Sequence, residues 1–139
     1  MSVTLEKDLQ ILDDSFTGVK DGENQTICWV TCVMRPEKLD AVKDALNKLN
    51  LVGGMTVTAV RGFGRQKGQT IHYRGEPYVI RFIDKIRLDM VVPREDADKV
   101  IQIIRSQACT GTVGDGKIFV FNVAGVMRIR TGERGRNAL

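Results

Sequence analysis

Two groups of residues in this 139-residue chain have types and spacings suited to holding phosphates. The run Thr110, Gly111, Thr112, Val113, Gly114, Asp115, Gly116, Lys117 is dense in glycine and ends on a lysine. Glycines let successive backbone N–H groups converge on an anion, and the lysine adds a cation. The order differs from GxxxxGK[ST], whose glycine loop precedes a helix, and the same residues also suit an ordinary turn. Arg128 and Arg130 are two apart, so on a strand they project from one face about 6 to 7 Å from each other, close to the spacing of adjacent phosphates. A solvated strand edge would carry the same pair.

Catalytic machinery is thin by comparison. The single histidine is His72, and no cysteine or serine stands beside an evident base. An NTP hydrolase or phosphatase would need a carboxylate to position water, and Asp115 is the one candidate in the glycine run. The chain is therefore expected not to be an enzyme. Cys28, Cys32 and Cys109 form no CxxC pair and have no companion histidine cluster, which argues against zinc and a disulfide framework. Cys28 and Cys32, four apart in a strand, share a face and read as packing residues.

Composition narrows the rest. Apolar residues make up 42% and charged residues 27%, values of a globular domain, and the length suits one core. No apolar run reaches the roughly 18 residues of a membrane span, and the acidic N-terminus lacks the pattern of a secretory signal, so a cytoplasmic protein without membrane insertion is expected. Residues 1–26 hold six acids and two bases, a net of −4, which leaves +8 for the remainder of a chain whose total is +4. A basic folded part calls for an anionic partner.

The elements that must position these residues follow from periodicity. Ile27 to Met34 is a short apolar run suited to a strand buried on both faces. Pro36 opens a helical pattern carrying Leu39, Val42, Leu46 and Leu49, and Met55 to Phe63 reads as a second strand. From 64 to 82 neither period holds, which predicts a long flexible loop that binds something or moves. The pattern then returns as a strand over Lys85 to Val92, a helix from Pro93 with Val100, Ile101 and Ile104, a strand over Lys117 to Val123, and a short last strand over Val126 to Ile129. The order is βαβ, loop, βαβ, plus a short C-terminal strand: an α+β, ferredoxin-like split βαβ fold with both helices on one face. Two strands apolar on both faces imply that the other face is covered by self-association. Domain organisation is an N-terminal extension over 1–26 and one folded domain over 27–139. Leu5, Leu9, Leu12 and Phe16 in the extension suit a short amphipathic helix, and a disordered tail is the alternative.

Four blocks then resemble one family in order: Gly-Met-Thr-Val-Thr-Ala-Val-Arg-Gly-Phe-Gly-Arg-Gln-Lys-Gly at 54–68, Tyr-Arg-Gly-Glu-Pro-Tyr at 73–78, Thr-Gly-Thr-Val-Gly-Asp-Gly-Lys-Ile-Phe-Val-Phe at 110–121, and Met-Arg-Ile-Arg-Thr-Gly-Glu at 127–133. The stretch from Ile27 to Glu133 resembles nitrogen regulatory PII proteins. That resemblance implies a homotrimeric signalling protein with ATP or ADP in clefts between subunits. Arg65, Gly114, Asp115, Gly116 and Lys117 would hold phosphates, with Arg128 and Arg130 reaching from a neighbour, and Thr56, Gly62 and Asp89 would lie near base and ribose. It also implies 2-oxoglutarate binding with Mg-ATP, the effector chelating Mg2+ while Gln66 completes the coordination. Arg35, Lys85 and Gly114 would lie at the effector. Targets in the family are nitrogen-metabolism proteins such as ammonium transporters, enzymes and regulators.

Departures from the family pattern are informative. Arg35 stands where most relatives have a lysine that contacts 2-oxoglutarate, which leaves a divergent sensor of adenine nucleotides or another metabolite as the alternative. Tyr78 matches a tyrosine that some relatives carry as a nucleotidylation site, and Glu76 excludes serine phosphorylation at its own position. An RNA-binding reading rests on Arg61, Gly62, Phe63 and Gly64, the start of an RNP1-like motif. It then fails at Arg65 and Gly68, where aromatics belong, in a chain of eight aromatics, so no nucleic acid partner is expected.

Overall fold

The structure, a computed structural model, describes residues 26–63, 70–73, 76–79 and 82–139. The sheet is built from β1 (Ile27–Met34), β2 (Thr56–Gly62), β5 (Ile83–Pro93) and β6 (Gly116–Asn122), in the order β2-β5-β1-β6 with every pairing antiparallel. This is the α+β, ferredoxin-like arrangement. Central β1 alternates as its position demands: Cys28, Val30, Cys32 and Met34 are fully buried towards the helices, and Trp29, Thr31 and Val33 point to the other face.

Two helices cover the first face. A 3₁₀ turn at Pro36–Lys38 leads into α1 (Leu39–Lys48), with Asp40 in its first turn and Lys48 in its last, as the helix dipole favours. Asn50, at φ 50°, turns the chain out of the helix in the left-handed region that asparagine tolerates. Helix α2 (Arg94–Ala108) starts directly after Pro93, places Glu95 and Asp96 in its first turn, and buries Ala97, Val100, Ile104 and Ala108 on one stripe. These join Val42, Leu46, Leu88, Met90 and Val92 in a single core. Among the described residues no helix is long and apolar enough to cross a membrane.

The opposite face is uncovered within one subunit. Phe121 pairs with Trp29 and Phe119 with Thr31 on it, and exposures are 37% for Trp29, 45% for Phe119 and 50% for Phe121. Trp29, Phe119 and Phe121 thus form a partly exposed aromatic patch on that face.

Several sequence expectations are corrected in detail. Leu49, read as the last apolar position of the first helix, instead caps it just past Lys48 and is exposed. Within the span read as a loop, the backbones of β3 (Thr70–Tyr73) and β4 (Glu76–Val79) pair antiparallel. Four residues per strand are too few to show a period. Val126–Ile129 does not extend as a strand: Met127 and Arg134 form an isolated bridge, and the amide of Gly132 donates to the carbonyl of Arg128 at 2.8 Å. Among the described residues no strand runs beside this segment, so its backbone groups close a local turn.

Candidate functional site

The glycine run forms the connection from α2 to β6, and one carboxylate organises it. Asp115 accepts from the backbone amides of Thr110 and Gly111 at 2.8 and 3.0 Å and from the Thr110 hydroxyl. From β1's end Arg35 reaches across to it, its Nε 3.1 Å from Asp115 Oδ1 and its Nη2 donating to the carbonyl of Val113 at 2.8 Å. The Thr110 hydroxyl and amide first, with lesser help from Arg35 and the Gly111 amide, hold the Asp115 carboxyl well below the usual carboxylate range despite the opposing effect of desolvation. Asp115 thus stays ionised and keeps the loop's turn closed.

Gly116 is where the loop meets the sheet. Its φ of +100° suits glycine, and a Cβ there would lie 1.7 Å from the carbonyl oxygen of Val33. The close approach sets the start of β6 flush against the end of β1, opposite Met34. From β5 the buried Lys85 donates its Nζ to the carbonyl of Gly114. Burial, and secondarily the nearby Arg35, lower the pKa of its ammonium.

Lys85, Gly114 and Gly116 line one open cleft of about 810 Å³ on the uncovered face of the sheet, together with Gly62, Phe63, Val113, Lys117 and Phe119. The cleft adjoins the base of the 64–81 segment, where the rings of Phe63 and Phe82 approach to 6.0 Å. Its donors are two cations and a glycine loop. The carboxylate of the glycine loop, Asp115, is occupied by Arg35, Thr110 and Gly111, and among the described residues no group of three histidine, cysteine, aspartate or glutamate side chains assembles for a metal. The cleft suits anions, and a magnesium ion there would depend on oxygens of the bound anion.

The structure brings Arg35, Gly62, Lys85, Gly114, Asp115, Gly116 and Lys117 together. Thr56 and Asp89 face each other directly across the β2–β5 ladder, on the same side of β5 as Lys85 and about 13 Å further along it. Arg128 and Arg130 lie apart. Strand β6 carries the chain from Gly116 to Asn122, opposite Cys28, so the following segment begins at the far end of the sheet, where Arg136 pairs with Glu95 of α2. There Arg128 pairs with Glu133 at 3.1 Å and donates to the carbonyl oxygen of Leu139 at 3.0 Å. The isolated bridge replaces the strand that was to align Arg128 with Arg130 on one face. Arg65, Gln66 and the side chain of Tyr78 lie outside the described residues.

Sequence reading missed two contributors. Trp29 donates its indole N–H to Asp89 at 3.0 Å, and Arg87 pairs with the same carboxylate at 3.1 Å. The alternation of β1 and β5 puts all three on one face, a signal that their residue types alone did not carry.

Comparison with known proteins gives the chain's family and supports its fold. The family model described as Nitrogen regulatory protein P-II matches residues 28–133. The chain is 51% identical over 110 residues to the nitrogen regulatory protein P-II of Rhizobium meliloti (strain 1021), a match covering 79% of this chain and 97% of that one. It is 48% identical over 110 residues to nitrogen regulatory protein P-II 1 of Escherichia coli (strain K12), with the same coverage of 79% and 97%. Among solved structures, Arabidopsis thaliana PII bound to citrate superposes with a TM-score of 0.67 at 38% identity, covering 82% of this chain and 92% of that one.

Proposed function

Because the chain belongs to the nitrogen regulatory protein P-II family, we propose that it is a homotrimeric, cytoplasmic signal-transduction regulator. In this reading it binds ATP or ADP between subunits and controls nitrogen-metabolism proteins through the 64–81 segment. The carrying observation is the convergence of Lys85, Lys117 and the Gly114–Gly116 backbone on one cleft at the base of that segment. Phosphates would lie against the glycine loop and Lys117, and the nucleoside would run along β5 towards Thr56 and Asp89, which face one another at a suitable remove.

Arg128 and Arg130 stand at the opposite end of their own subunit's sheet, so a neighbour would have to supply them. The exposed Trp29, Phe119 and Phe121 face offers the surface on which such an assembly forms. Arg65 would add a further phosphate contact. Magnesium, held by phosphate oxygens and Gln66, would screen a second anion, and Lys85 and Arg35 would receive that anion's carboxylates. 2-Oxoglutarate is the effector the family implies. Regulation, rather than turnover, is the output: occupancy of the cleft biases the segment that leaves at Phe63 and returns at Phe82.

Arg35 supports a second reading of the effector. Its guanidinium is already bonded to Asp115 and Val113, and a planar fork suits a differently shaped carboxylate than a lysine would. The Arabidopsis relative is bound to citrate, and another small carboxylate of that kind is the alternative. Calorimetric titration with ATP and ADP, then with 2-oxoglutarate or citrate in the presence of Mg-ATP, tests both readings. Micromolar nucleotide binding followed by a nucleotide-dependent second event is expected, and heat from the effector without nucleotide contradicts the coupled scheme.

A further inference from the structure

The face that carries the cleft also carries Trp29, the chain's one tryptophan. Trp29 of β1 lies diagonal to Asp89 of β5, and its indole Nε1–H donates to Asp89 Oδ1 at 3.0 Å. Arg87 holds the same carboxylate, its Nε 3.1 Å from Oδ2 and 3.3 Å from Oδ1, and its guanidinium carbon stands 5.9 Å from the centre of the Trp29 ring system. Phe121 backs the indole at 5.6 Å between ring centroids. A carboxylate has about four acceptor positions. These contacts engage Oδ1 twice and Oδ2 once, which leaves Oδ2 able to accept again. The Asp89 side chain is 18% exposed, enough to be reached, and Thr56 stands opposite it across the ladder.

We infer that Trp29 is a positioning residue for the sugar of the bound nucleotide: by anchoring Oδ1 of Asp89 it aims Oδ2 at a ribose hydroxyl, so that the site selects ribonucleotides over deoxyribonucleotides. The inference rests on the nucleotide reading above. An acceptor whose orientation is fixed before binding spends no ordering entropy when the hydroxyl arrives, and it is left unsatisfied when the hydroxyl is missing. A freely rotating carboxylate would turn to solvent and discriminate less.

The test is calorimetric titration of the full-length wild type and Trp29→Phe with ATP, 2′-deoxy-ATP and 3′-deoxy-ATP. The phenyl ring keeps an aromatic on the sheet and removes the N–H. The wild type is expected to bind ATP about tenfold more tightly than at least one deoxy analogue, the value of one charge-assisted hydrogen bond. In Trp29→Phe that ratio should fall to about threefold or less, with affinity for the same analogue little changed. An unchanged ratio, an equal loss for all three nucleotides, or a wild type without any preference overturns the inference while leaving nucleotide binding intact. A wild type that binds no ATP overturns the nucleotide reading and the inference together. Emission from the single tryptophan gives a readout independent of the variant's folding. Saturating ATP should alter its intensity or wavelength, and identical spectra with and without bound ATP contradict the placement of Trp29 beside the sugar.

Discussion

Arg35 and Asp115, eighty residues apart in the chain, meet at 3.1 Å, so the end of β1 grips the turn that leads into β6. Lys85 of β5 grips the same turn through the carbonyl of Gly114. Two cations assigned to an effector therefore also hold the glycine loop assigned to phosphates. In the proposed scheme an anion that draws either cation away would act on the loop, which would give the two ligands a direct means of sensing each other.

Gly116 should be the least replaceable glycine of the loop. A Cβ there meets the Val33 carbonyl at 1.7 Å and the φ is +100°, whereas at Gly132, with φ +73°, nothing lies within 4 Å. Gly132→Ala should cost about 1 to 2 kcal/mol for the left-handed backbone alone, and Gly116→Ala more than about 3 kcal/mol because strands must also part. Urea unfolding at fixed protein concentration measures both, and equal losses contradict the close-approach argument.

Acid should loosen the loop through Asp115. Its carboxyl lies below the ordinary value of 3.8 in the folded chain, first through Thr110. The folded state therefore binds this proton less readily than the unfolded state, and the associated stability is complete above the ordinary carboxylate range. It is lost as the pH falls from there towards the lower folded-state value. Urea midpoints between about pH 5 and about pH 2.5 should fall more steeply for the wild type than for Asp115→Asn. Parallel curves would show that the clasp adds nothing.

Lys85→Met should separate stability from sensing. The lysine is buried with a lowered pKa, so its charge costs stability at neutral pH, and that cost is relieved as the pH rises through the folded-state value. Removing it forfeits one hydrogen bond to Gly114, about 1 kcal/mol, against relief of a buried charge. Net stability should change by less than about 1 kcal/mol, while carboxylate effector binding in the presence of Mg-ATP weakens at least about tenfold. Retained effector affinity would remove Lys85 from that site.

The ferredoxin-like order, the glycine loop and the inward cysteines were legible because each rests on local pattern. Cys28 and Cys32 alternate with Trp29 and Thr31 in one strand and are buried as that alternation requires, with burial pushing the Cys32 thiol up to about 11. The Arg35–Asp115 clasp and the Trp29–Asp89 bond were not legible, since each joins residues brought together only by strand register. The segment after β6 misled for a related reason. Alternating Met127, Arg128, Ile129 and Arg130 looks like a strand, yet a strand needs a neighbour, and in one subunit the backbone folds into a turn that leaves Ile129 99% exposed.

Arg128→Ala should weaken nucleotide binding by about 1.5 to 3 kcal/mol through loss of a charge-assisted contact. The subunit's own fold should change little, because the ion pair with Glu133 lies at the surface. Unaltered ATP affinity would take this arginine out of the site.

Mixing subunits addresses the central claim most directly. Arg128→Ala and Lys117→Ala homotrimers should each bind ATP weakly. When the two are unfolded together and reassembled in equal amounts, about a quarter of the sites should join an intact glycine loop to an intact neighbouring arginine and recover wild-type affinity. Recovery of no tight sites, or assembly as monomers, would contradict a nucleotide site built between subunits.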